Sequence, residues 1–140
     1  MTIRINTNQA ELNTDFVYQF LSQESTWAKH IPRATVERAL SNSLCFGVYL
    51  DGEQIGFARV ISDYATFANL VDVFITPAHR GKGYSKKLME AILAHPDLQG
   101  LRRFTLATGN AHGLYAQFGF TPPQRPHTLM ERYFPDLYQT

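Results

Sequence analysis

One stretch limits what this chain can fold into more than any other: Leu70–Glu90, LVDVFITPAHRGKGYSKKLME. Leu70-Val71-Asp72-Val73-Phe74-Ile75 is almost continuously apolar and rich in β-branched residues, the pattern of a strand covered on both faces. Thr76-Pro77 ends it, because proline cannot donate to a ladder and biases its predecessor away from helix. Tyr84, Leu88 and Leu93, with Ser85, Met89 and Ile92, then fall on one helical face, and Lys86, Lys87 and Glu90 lie between them. His95-Pro96 closes the helix. Leu101–Ala107 is the next strand, so the unit reads as a right-handed βαβ crossover with parallel strands.

The turn between strand and helix is Arg80-Gly81-Lys82-Gly83-Tyr84-Ser85. Backbone N–H groups at a helix start have no intrahelical partner, and the macrodipole places about half a positive charge there. Glycines allow close backbone approach, and Arg80, Lys82 and Lys86 add full charges, so the turn suits a pyrophosphate. The alternative is a solvated basic turn. Neither GxxxxGK[ST] nor GxGxxG can be fitted to these residues.

A second motif follows, Ala111-His112-Gly113-Leu114-Tyr115-Ala116-Gln117-Phe118-Gly119-Phe120. Together the two resemble the GNAT acetyl-CoA-dependent N-acyltransferase superfamily. Its motif A is a strand ending V-x-P followed by R/Q-x-x-G-x-G/A. Here Ile75-Thr76-Pro77 and Arg80–Ser85 occupy those places, with Ser85 where the family has Gly or Ala. The Ala111–Phe120 segment resembles the family's A-x-x-L-Y-x-x-x-G-F helix. The resemblance covers essentially the whole chain. It implies an α/β (α+β) fold with a mixed, largely antiparallel sheet of about six to seven strands and about four flanking helices. One strand pair would splay apart to admit the cofactor.

The rest of the chain is compatible with that architecture. Its 140 residues suit a single domain spanning 1–140. A 44% hydrophobic and 18% charged composition is that of a soluble globular protein, and a net charge of +1 disfavours nucleic-acid binding through a broad basic field. No signal peptide, long apolar run or lipidation motif is visible, so no membrane association is expected and the cytoplasm is the default compartment. Cys45, the only cysteine, reads as a small buried hydrophobe. The histidines have no metal-ligand spacing, and no metal is expected.

Ile3–Asn6 reads as a first strand and Thr14 as the N-cap of a helix carrying Phe16, Val17, Phe20 and Leu21. Gln23–Arg33 reads as a loop and Ala34–Leu40 as a short helix. Leu44–Leu50 and Glu53–Ile61 form a hairpin across Asp51-Gly52, with Ile55, Phe57 and Ile61 on one face and Arg59 interrupting them. Ser62–Ala65 turns into a strand over Thr66–Ile75. A last strand is expected over His127–Tyr133.

Thioester-to-amine transfer needs a bound cofactor, a polarised carbonyl, a base for the amine and an acid for the thiolate. The resemblance implies acetyl-CoA as co-substrate. Backbone groups of Val73, Phe74 and Ile75 would hold its pantetheine arm, and N–H groups of Gly81, Lys82, Gly83, Tyr84 and Ser85 its pyrophosphate. Tyr115 stands where the family has its proposed general acid; a phenol with a pKa near 10 is protonated at neutral pH. The alternative is a tyrosine packed in the core. Asp72, where many relatives carry an acid, is the candidate base, directly or through water; the alternative is an aspartate bonded to neighbouring backbone or to Arg59. The family's cofactor-contacting asparagine is replaced by Thr108, with Asn110 two residues later as the expected N-cap of the Tyr115 helix. Trp27, His30, Tyr64 and His112 are candidates for the acceptor wall, and Asp63 could also reach it. The first reading is therefore direct acetylation of a small-molecule or peptide amine by a monomer or homodimer. A non-catalytic acyl-CoA-binding or sensing domain is the second. A structural protein whose basic loop binds RNA or phosphate is the third.

Overall fold

Alternating apolar residues in the first half of the chain build an antiparallel meander, and the βαβ unit adds one parallel strand to its edge. A computed structural model gives this arrangement over residues 2–139. The sheet runs β1 (Ile3–Asn6), β2 (Leu44–Leu50), β3 (Glu53–Ser62), β4 (Phe67–Ile75) and β5 (Arg103–Leu106), hydrogen-bonded in that order. Only β4 and β5 are parallel. They are joined through α3 (Tyr84–Ala94), which ends at His95 as expected. Between β1 and β2 come α1 (Thr14–Gln19) and α2 (Arg33–Ser41), and α4 (His112–Ala116) follows β5.

The sheet has five strands rather than the six or seven expected. The missing one is the proposed strand over His127–Tyr133. Pro126–Thr128 forms a short 3₁₀ turn instead, and the residues after it join no ladder. Pro122, Pro123 and Pro126 offer no backbone N–H, which removes donors where a ladder would start. The segment leaves Met130, Tyr133, Phe134 and Leu137 exposed.

Two local differences have clear causes. The N-cap of α1 is Asn13, not Thr14: its side-chain oxygen accepts the Phe16 N–H at 3.0 Å, and asparagine caps at least as well as threonine. The segment after α1 is not a plain loop. The helix widens into a π turn over Phe20–Glu24, and Ser25 Oγ then donates to Leu21 O (2.6 Å) and accepts the Ala28 N–H (3.0 Å). These bonds fix the short segment that presents Trp27.

The sheet separates two apolar clusters. Phe46, Val48, Leu88, Met89 and Ile92 pack on the α3 side; Val17, Phe20, Leu21, Val36, Phe57 and Phe74 pack on the α1–α2 side. Ile55 and Phe57, expected on one face, lie in different clusters, while Ile61 is exposed. The register explains this. Val48 faces Gly56 and Tyr49 faces Gln54, so Ile55 is an extra residue that reverses the alternation. Cys45 is buried as expected, and its burial pushes the thiol up to about 11.

Gly56 sits where backbone and side chain of the neighbouring strand leave no room for a Cβ. A Cβ there would lie 2.6 Å from Ile75 Cδ1 and 2.9 Å from Phe74 O. Gly56→Ala should therefore destabilise the fold by about 1–3 kcal/mol, the usual cost of overpacking. Urea unfolding should show a lower midpoint with an unchanged slope. A midpoint equal to wild type would mean the backbone yields there freely.

No helix among the described residues is long and apolar enough to cross a membrane.

Candidate active site

The site is created by an irregularity in β4. Between Phe57 and Arg59, β3 advances two residues, whereas its partners Phe74 and Val71 are three apart, so β4 carries one extra residue. Asp72 takes the strain, with φ of 57° in the left-handed region. Aspartate tolerates that region better than most residues, and such conformations concentrate at functional sites. On its other edge β4 pairs with β5 only from Phe67 to Leu70. Beyond Leu70 the two strands have no mutual ladder, and a cavity of about 640 Å³ opens there. It is lined by Asn69–Val73 of β4, by Leu106–Ala111, by Thr26 and Trp27, and by Tyr115.

Asp72 is the one charged side chain on this wall among the described residues. Its Oδ2 accepts from Arg59 Nε at 2.9 Å, forming an ion pair, and its Oδ1 accepts from Trp27 Nε1 at 2.8 Å. Arg59 also donates to Ser43 Oγ at 3.1 Å. The alternative raised for Asp72, a bond to Arg59, is thus present in the structure, and it leaves the carboxylate in the cavity wall. Trp27 is neither simple core packing nor free: its indole is half exposed and tilts against Phe20, which stacks on Phe74 at 3.7 Å.

Tyr115 is buried, and burial raises its phenol above the ordinary value. It packs against Phe120, which in turn meets Phe104 of β5, so the end of α4 is tied to the sheet. Tyr115 therefore belongs to the core and to the cavity wall at once.

The basic turn has the backbone that its sequence suggests. Gly81 and Gly83 have φ of 77° and 82°, and a Cβ on either would meet no atom within 4 Å. The space over the turn is open. Among the described residues, nothing accepts the backbone N–H groups of Gly81–Ser85. A smaller cavity of about 180 Å³ lies against Ile75, His79, Arg80, Gly81, Gly83–Lys86 and Leu114. Arg80 also has a structural task, since its Nε donates to Ile75 O at 2.9 Å. Lys82 is exposed, and Tyr84 is buried in the core on the α3 side. These unpaired donors and this open space fit a pyrophosphate group.

Other candidates are placed differently. Asn110 does not cap α4. The N-cap is Ala111, with no side-chain bond to the first turn, and Thr108 Oγ1 accepts the Ala111 N–H at 3.0 Å just ahead of the helix. Thr108 and Asn110 both line the cavity, and Asn110 keeps its side chain free of any bond to the described residues. The Phe74 ring is buried in the core, while Val73 and Ile75 line one cavity each. His30, Tyr64 and His112 are exposed and line neither cavity. Sequence reasoning missed Asn69, whose Oδ1 accepts from Thr105 Oγ1 at 2.8 Å across β4 and β5 just before they part. A polar residue inside an apolar strand was the available signal.

Asp63 organises a turn instead of reaching an acceptor. Its carboxylate accepts from Thr66 N (2.8 Å), Thr66 Oγ1 (2.7 Å), Ala65 N (2.9 Å) and Phe67 N (3.2 Å). Those bonds, led by the Thr66 backbone, hold the carboxyl well below the usual range. A folded-state pKa below the unfolded one gives stability that is complete above about pH 4 and lost as pH falls toward the folded value. Asp63→Asn should therefore lower the melting temperature near neutrality, and the gap should close on acidification. A gap constant with pH would show that the charge contributes nothing.

The family model described as "Acetyltransferase (GNAT) family" matches residues 14–120. The chain is 60% identical to a GNAT-family protein of Xanthomonas campestris pv. campestris of known structure, with a TM-score of 0.97 over 100% of this chain and 99% of that one. It is 31% identical to the Gibberella zeae protein FG08082, which carries an acetyltransferase name, over 81% of this chain and 75% of that one. It shares its fold with a GNAT acetyltransferase from Elizabethkingia anophelis solved with acetyl-CoA bound, at 15% identity and a TM-score of 0.64, covering 85% of this chain and 76% of that one. The matched family model spans most of the chain, and a relative of the same family shares its fold from end to end; the chain belongs to the GNAT acetyltransferase family.

Proposed function

We propose that the protein moves an acetyl group from acetyl-CoA directly onto a primary amine. The observation that carries this is the opening of β4 from β5 after Leu70, with Asp72 and Tyr115 both on the wall of the resulting cavity. In this reading, the unpaired edge of β4 near Val73 and Ile75 holds the pantetheine arm by backbone hydrogen bonds. The N–H groups of Gly81–Ser85 take the pyrophosphate, assisted by the nearby positive charges. Asn110, with its free amide, is a better cofactor contact than Thr108, whose hydroxyl already accepts the Ala111 N–H.

The amine nitrogen bonds to the acetyl carbon and the carbon–sulfur bond breaks. Asp72, directly or through a water, takes the proton that the amine gives up. Tyr115 gives its phenolic proton to the departing thiolate and recovers one from solvent. Burial suits Tyr115 to that role, since it keeps the phenol protonated. No cysteine or serine nucleophile is needed, and the only thiol in the chain, Cys45, is buried.

Calorimetric titration with acetyl-CoA and with free CoA tests this reading, followed by mass spectrometry of primary amines incubated with protein and acetyl-CoA. Micromolar binding and an amine that gains one acetyl mass are expected. Absence of binding to both ligands would sink the proposal.

A further inference from the structure

The cavity contains a contact that acetyl transfer does not itself require. Trp27, the chain's sole tryptophan, is 51% exposed, yet its Nε1–H is fixed on Asp72 Oδ1 at 2.8 Å. Arg59 holds the other carboxylate oxygen at 2.9 Å and does not line the cavity. The cavity thus meets the anionic end of this ion pair and not its cationic end. No positively charged side chain is on its wall among the described residues. A carboxylate oxygen beside an indole is an arrangement that recognises a small cation, because the ring face and the anion attract the same charge. An ammonium group has three donors and a full charge, so it can replace the single indole N–H on Oδ1 with a stronger bond. Asp72 itself lies in the cavity wall, at a residue with a left-handed φ of 57°.

We propose that Trp27 and Asp72 form an ammonium-selective subsite, in which the indole leaves Oδ1 and lies against the incoming cation, so that cationic amines are taken over neutral acceptors of the same shape. This rests on the acetyl-transfer reading and adds to it the charge class of the acceptor. It also delivers the ammonium to the oxygen that would take its first proton; the second, released once nitrogen has bonded to the acetyl carbon, passes to solvent. An acceptor with a carboxylate next to its amine would meet Asp72 with no counter-charge on the wall, and is disfavoured.

The sole tryptophan makes the test direct. Wild-type protein, with and without CoA at constant ionic strength, is titrated with phenethylammonium chloride and with its neutral isostere 2-phenylethanol. Intrinsic fluorescence and the indole N–H resonance of the nitrogen-15-labelled protein are both read. The ammonium should perturb both signals at about tenfold or more lower concentration than the alcohol, in keeping with a charge-assisted contact plus a cation–π contact. Asp72→Asn, which retains an oxygen for the indole, should bring the two ligands level. Equal responses in wild type, or none from either ligand up to the solubility of the alcohol, would overturn the subsite. Failure of acetyl-CoA to bind by calorimetry would instead strike the transfer reading, and the ammonium titration would remain interpretable.

Discussion

Gly83→Glu should abolish acetyl-CoA binding in calorimetry, whereas Gly83→Ala should weaken it only modestly. The pair separates two physical effects. Gly83 has φ of 82°, and any side chain there strains the backbone, at roughly 1–2 kcal/mol for an L-residue. That corresponds to about a five- to thirtyfold loss for alanine if all the strain is released in the unliganded turn. A Cβ at this position meets nothing, so alanine adds no clash with the protein itself. Glutamate adds to the same strain a carboxylate at the opening of α3, among N–H donors with no partner. It would repel a pyrophosphate where the helix dipole otherwise attracts one. The expected loss for glutamate is at least about a hundredfold more than for alanine, counting lost attraction and added repulsion in a partly enclosed site. Similar affinities for the two variants would show that the turn contributes shape but no anion recognition.

Tyr115→Phe should reduce kcat by about 10²–10⁴, the range for a positioned general acid, and leave acetyl-CoA affinity within about twofold. The ring would still pack against Phe120, so the fold should survive the loss of one hydroxyl. The pH profile provides a second readout. Burial raises the phenol, so wild type should keep its acid to a pH above the ordinary value near 10 and lose activity only beyond it. The variant should have no such alkaline arm. An unchanged kcat would leave Tyr115 as a packing residue, and the thiolate would then have to be protonated by solvent.

The site was legible where its chemistry depends on local sequence and hidden where it depends on register. The glycine turn, the strand before it and the tyrosine helix each follow from neighbouring residues, and each stands where expected. The extra residue in β4 does not. It is set by how β4 lies against β3, and the only local trace was a lone aspartate in an apolar run. The Asp72–Trp27 bond spans 45 positions and joins two segments whose proximity no spacing rule gives. The start of the tyrosine helix differs from expectation for another reason. Asparagine caps helices well, but a five-residue helix leaves too little pattern to fix its first residue, and it begins after Ala111 rather than after Asn110. The last strand, expected over His127–Tyr133, does not form, and the three prolines just before it are the local feature that disfavours a ladder there.

Cys45 has a practical consequence at the bench. Acyl transfer from a thioester liberates one thiol per turnover, and thiol-reactive dyes respond to thiolates. The only thiol of the polypeptide is buried, and its ionisation is displaced to about 11. Near neutral pH the folded protein should therefore be almost silent toward such a dye. Continuous colour development would count released coenzyme alone, without blank correction or removal of the cysteine. A fast protein-dependent burst equal to the enzyme concentration would instead report that the sheet around Cys45 had opened.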